Sequence, residues 1–228
     1  MRGSWVHVGR LWTNGEPFLA IDATRRSDWR GYRDDDFERV VDMVPEDSSI
    51  SVEAGSAALV GGDGVVRDDS WIEVFQSEDG ALAFVQASGP DYPGVLAAAL
   101  KYPDAEDDEG DDLLVGGELA VFSAAVDGAG EHSTRLSPAQ PGPVPIVHGP
   151  PSREPDPGML IQTADSVYRF KIRWYTELDD ESCFARWLLI PASRCAAQSA
   201  ADPDGVDWSR SSLGHDLDLH SMPEVVVV

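Results

Sequence analysis

Residues 168 to 175 read YRFKIRWY, an alternation that puts Tyr168, Phe170, Ile172 and Trp174 on one side of an extended chain and Arg169, Lys171 and Arg173 on the other. A strand of this kind is half-buried. One face needs an apolar layer, and the other meets water or charge, which is the habit of antiparallel sheets. Strands are also predicted at Met159 to Thr163 and Phe184 to Ile190, with a turn at Ala164-Asp165-Ser166. Three strands own too little apolar surface to stand alone, so residues 159 to 195 are expected to dock on the part of the chain that precedes them.

That part reads as a domain over residues 1 to 130. Trp5, His7 and Gly9 alternate with Val6 and Val8, an apolar run follows from Pro17 to Ile21, and Asn14-Gly15 between them predicts a hairpin. Asp34, Asp35 and Asp36 precede Phe37, Val40, Val41 and Val44, a helical stripe of about three turns with acidic residues at its N-terminus and Pro45 as its stop. Strands are predicted at residues 50–53, 57–60, 71–76 and 81–87, then a helix from Tyr92 or Pro93 to Tyr102, then strands at 113–115 and 119–126. The expected class is α+β: a mostly antiparallel sheet with about two helices, extended by further strands after a connection at residues 131–158. Residues 137 to 158 of that connection hold 8 of the 16 prolines and should run stiff and extended. Residues 196–228 are rich in Asp, Ser and Ala without periodicity and are expected to form a disordered tail. No internal repeat of solenoid period occurs.

Charge narrows the function. The chain carries 41 acidic against 17 basic residues, a net charge of −24, and residues 34 to 130 alone hold 24 acidic and 3 basic side chains. Such a surface repels nucleic acid and anionic membrane and attracts a basic partner at a salt-sensitive rate. Arg2, His7 and Arg10 interrupt the N-terminus before a signal-peptide core can form, and no apolar run approaches the ~18 residues of a membrane span. Cys183 and Cys195 are too few for a disulfide framework, so the expected location is a reducing one, the cytoplasm.

The motifs with catalytic or ligand-binding potential each fail a specific requirement. SAALVGGDGVV, residues 56 to 66, has the glycines of a phosphate loop but no Lys for the phosphates and no helix after it, and Asp63, Asp68 and Asp69 would repel the ligand. It reads as a tight turn between strands. DAEDDEGDD, residues 104 to 112, places seven carboxylates in nine positions, but counted from Asp104 its glycine falls seventh and Val115 takes the twelfth place, where a calcium loop wants a sixth glycine and a twelfth Glu. Mutual repulsion makes it an expected exposed loop. HDLDLH at 215–220 has metal-ligand types at a spacing that suits neither a helix face nor a strand face. No Gly-x-Ser-x-Gly elbow occurs, and neither cysteine has an evident partner. No cofactor and no metal is expected.

A series of short motifs runs in order along the chain: Trp5; Gly15-Glu16-Pro17-Phe18-Leu19; Asp28-Trp29-Arg30-Gly31; Asp36-Phe37-Glu38-Arg39-Val40; Gly55-Ser56-Ala57-Ala58-Leu59-Val60-Gly61-Gly62-Asp63; and Leu119-Ala120-Val121-Phe122-Ser123-Ala124-Ala125. This succession resembles the bacterial polymorphic-toxin immunity proteins of the immunity protein 21 family over residues 5 to 125. The chain departs from that pattern in its acidity, its proline-rich insertion and its tail. The resemblance implies a non-enzymatic protein that binds and neutralises a cognate toxin domain, with GGDG as a scaffold turn. Charge adds that the toxin is basic, a nuclease being one such target. The residues expected to capture it are Asp104, Glu106, Asp107, Asp108, Glu109, Asp111 and Asp112, with Trp71 as an exposed aromatic anchor. The oligomeric state stays open. Two alternatives stand beside this expectation: an acidic, non-catalytic scaffolding module, and a metal-assisted hydrolase using scattered carboxylates.

Overall fold

A computed structural model of the protein describes residues 4–43, 49–53, 55–61, 69–104, 107–143, 157–175 and 182–193. Twelve named strands form two sheets. The first contains, in spatial order, β1 (Trp5–Asn14), β5 (Asp69–Ser77), β6 (Leu82–Ser88), β12 (Cys183–Pro191), β11 (Val167–Tyr175) and β7 (Asp108–Leu114). The second contains β3 (Ser49–Val52), β4 (Gly55–Val60), β2 (Phe18–Asp22), β8 (Glu118–Ser123), β10 (Gly158–Gln162) and the two-residue β9 (Ser137–Pro138). Every pairing is antiparallel except β9 with β10. With the helices α1 (Asp36–Val41) and α2 (Tyr92–Lys101), this is an α+β architecture with mostly antiparallel sheets.

The alternation of YRFKIRWY sets the layers. Tyr168, Phe170 and Ile172 point between the sheets and pack with Leu11, Ile72 and Phe84 of the first sheet and Phe18, Val121 and Ile161 of the second. The outer face of the first sheet is covered by α2, whose Val95, Leu96, Ala99 and Leu100 meet Phe75, Val85, Phe184 and Leu188. The outer face of the second is covered by Trp29, Phe37 and Val40, and the Trp29 indole donates to the Ala124 carbonyl at 2.8 Å. Central strands are therefore apolar on both faces: Ala81 through Val85 are all fully buried.

The strands after residue 158 lie inside both sheets. β10 sits between β8 and β9, and β12 and β11 fill the positions between β6 and β7. The Asn14-Gly15 turn does not close a hairpin: β1 pairs with β5, whereas β2 pairs with β4 and β8. The five residues of β2 are buried on both faces, which demands an interior place in a doubly covered sheet, so the turn carries the chain from one sheet to the other, with Gly15 at φ +105. The Ala164–Ser166 turn makes the reverse crossing, steadied by the Tyr168 hydroxyl, which accepts from the Ala164 amide at 3.0 Å. Helix α1 has six residues, short of the three turns expected: Asp35 adopts a left-handed backbone (φ +61) and keeps Asp34 out at its start, and Asp42 is already the cap at its end. Val44 and Pro45 lie outside the described residues, as do Gly62 to Gly64 and residues 194–228 with the tail and its HDLDLH stretch.

The described start of the proline-rich segment is ordered by alternation. After β9, the amides of Ala139, Gln140 and Gly142 donate to Leu160, Val8 and His7, while Pro141 and Pro143 fall where no donor is used. Val8 is the bulged residue of β1, so its carbonyl is free of the β5 ladder. The segment thus bridges the β9 edge of one sheet to the β1 edge of the other.

Asp22, at the end of β2, ties three pieces together. Its carboxylate accepts from the Thr24 amide at 2.7 Å and hydroxyl at 2.6 Å, capping a 3-10 turn over Ala23–Asp28, and from the Gly116 amide. Burial pushes its pKa up, but these donors outweigh burial and hold it below the usual carboxylate value. A depressed folded-state pKa contributes stability above the unfolded value that is lost as pH falls through the folded one. Asp22→Asn should therefore lower the urea midpoint at neutral pH, and the gap to the parent should close in acid, below about pH 4.

Candidate functional site

The acidic stretch is not the exposed loop its composition predicts: from Asp108 onward it is β7, the edge of the first sheet, paired only with β11. The cause is charge pairing across the ladder. Glu109 stands opposite Lys171, and Asp112 opposite Arg169. The Lys171 ammonium lies 3.6 Å from Glu109 and 3.8 Å from Asp104 and donates to the Asp104 carbonyl at 2.9 Å. Between these pairs the register shifts, so that Gly110 and Asp111 face the single residue Phe170 in a β-bulge. Leu113 turns into the core and anchors the C-terminal end of the strand.

The candidate capture residues separate accordingly. Asp108, Glu109, Asp111 and Asp112 are exposed. Asp111 accepts from the Ser49 hydroxyl of β3 at 2.8 Å, which links the edge to the second sheet. Asp104 is half-buried beside Lys171. Glu106 lies outside the described residues. Asp107 is not a surface carboxylate: its side chain is shielded from water and paired at 2.5 Å with the fully buried Arg186 of β12. Trp71 is not an exposed anchor either, being 5% exposed, with the Arg10 guanidinium 4.5 Å above its ring. Its place on the α2-covered face of the first sheet explains the difference, since a strand residue's face is set by register and not by residue type. The exposed apolar group at the site is Leu114, 64% exposed at the end of β7. The Leu113-Leu114 pair in the sequence held that signal, because alternation allows only one of two adjacent side chains to enter the core.

Two other polar clusters went unread in the sequence. Glu73 is wholly buried and meets His7 Nε2, Arg10 Nε and the Tyr92 hydroxyl, each at 2.8 Å. Burial, together with the neighbouring Glu73 carboxylate, pushes the Tyr92 phenol far above its ordinary pKa. Through the Tyr92 hydroxyl, which donates to it, this carboxylate fastens the start of α2 to the sheet. The second cluster lines an open cleft of about 710 Å³ among Arg25, Asp28, Arg30, Asp34, Asp36 and Arg39. Its arginines are committed internally. Arg25 pairs with Asp28 at 3.3 Å and donates to the Val52 carbonyl, Arg39 pairs with Asp36 at 3.0 Å and donates to Ser51, and Arg30 lies 3.8 Å from Asp34.

Among the described residues no group of three or more His, Cys, Asp or Glu side chains is placed to hold a metal ion. An extended strand spreads successive carboxylates to opposite faces, which is why Asp108, Glu109, Asp111 and Asp112 do not converge. No described helix is long and apolar enough to cross a membrane. No family model, no curated protein and no solved structure matches the chain.

Proposed function

We propose that this chain is a non-catalytic binding protein that captures a basic protein along the acidic β7 edge, and that the partner is a cognate toxin domain which it neutralises in the manner of an immunity protein. The observation that carries the reading is the edge itself: Asp108, Glu109, Asp111 and Asp112 are exposed on one short strand that ends in the exposed Leu114. Charge of one sign on a fixed surface raises encounter rates, and an apolar side chain beside it supplies contact area once the partner has docked. The succession of motifs from Trp5 to Ala125 supplies the toxin-specific part of the proposal. Co-expression with the toxin domain encoded by the adjacent reading frame should restore growth of a sensitive host, and no restoration would refute that part.

A specific observation also favours the scaffolding alternative. A bulge and repeated charges are the devices by which natural sheets keep an edge from pairing with another chain. On this second reading the acidity of β7 only prevents association, and a binding partner, if recovered, would be indifferent to salt.

A further inference from the structure

Asp107 and Arg186 form an ion pair whose mutual attraction is offset by the cost of burying it. Both side chains are removed from water. Burial pushes the Asp107 carboxyl up and the Arg186 guanidinium down, so each loses more by desolvation than its partner returns. Asp107 Oδ1 and Arg186 Nε find no hydrogen-bond partner. Around them stand Arg173, 4.0 Å from Asp107 and 4.6 Å over the Tyr102 ring, and, further out, Lys171 and Asp104. Apolar side chains of similar volume would spare the desolvation cost of the two charges.

What the pair has is position. Arg186 lies on a central strand and donates at 2.7 Å to the carbonyls of both Ala99 and Tyr102 at the end of α2, so its guanidinium is a fixed point of the fold. Asp107 immediately precedes β7. That strand, DEGDDLL, has one side chain in the core, Leu113, and one neighbouring strand. Leu113 and, just past the strand, Val115 hold its C-terminal end in the core, but residues 108–112 carry no apolar side chain to specify register, and the bulge opposite Phe170 is free to move along them. A slip of one residue would take Glu109 away from Lys171 and turn the exposed carboxylates toward other faces.

We infer that Asp107 and Arg186 are positioning residues that lock the register at the start of the acidic edge. The consequence for binding rests on the capture reading above; the register itself does not. The test compares the parent with the double variant Asp107→Leu/Arg186→Met by urea unfolding, amide hydrogen exchange and association with a decalysine peptide. The double variant should unfold at a higher urea midpoint than Arg186→Met alone and β6 and β12 should keep their protection, while protection across residues 108–112 falls at least about tenfold and decalysine binds more slowly. Unchanged protection in β7 would overturn the inference. If the double variant does not fold, Asp107→Asn, which still accepts from Arg186, should keep β7 protected and Asp107→Ala should not; equal protection in those two would overturn it as well. Failure of the parent to bind decalysine would count against the capture reading alone, because exchange is read without a partner.

Discussion

Arg186→Met alone should lower the unfolding free energy by about 3–5 kcal/mol, read as a shift of the urea midpoint at neutral pH. The substitution removes the counter-ion of a carboxylate that has no access to water and strips the donors from the Ala99 and Tyr102 carbonyls at the same stroke. An uncompensated buried charge is among the few single changes that cost this much. Removing Asp107 as well relieves the stranded carboxylate and should recover part of that loss, while the Ala99 and Tyr102 carbonyls stay without their donor. A loss below about 1 kcal/mol, the size expected of a solvent-exposed pair, would show that water reaches Asp107.

Reversing the four exposed carboxylates of β7, by Asp108→Lys, Glu109→Lys, Asp111→Lys and Asp112→Lys together, should slow association with the basic partner by at least about a hundredfold in low salt and abolish protection in cells. Stability should change less than binding, because these side chains face water and their neighbours among the described residues are Lys171, Arg169 and Ser49 at one edge of the fold. Circular dichroism and the urea midpoint separate the two effects. A reversed variant that binds and protects like the parent would place the docking surface elsewhere.

The strands were legible where one side chain pattern dominated. YRFKIRWY predicts β11 over Val167–Tyr175, and the Val95, Leu96, Ala99 and Leu100 stripe predicts α2, because period two and period 3.6 are local properties of the chain. Which sheet a strand joins is not local. Asn14-Gly15 carries a hairpin signal, yet the burial of β2 on both faces decides the pairing, and that depends on β4 and β8 far along the sequence. The acidic segment misleads for a related reason. Composition treats its seven carboxylates as alike, whereas Lys171 and Arg186, more than 60 residues later, draw Glu109 into a ladder and Asp107 into the interior. A strand of alternating basic residues was the available hint, since cations on the outer face of a sheet call for a neighbouring strand of opposite charge.

Capture of a basic protein by the β7 edge, as proposed, is read from the association rate of the unaltered chain with the proposed toxin domain as a function of ionic strength. Steered capture predicts a rate that falls steeply, by about one to three powers of ten, between low salt and about 0.5 M, with dissociation changing less. A rate that stays flat across that range would contradict the account, whatever the affinity.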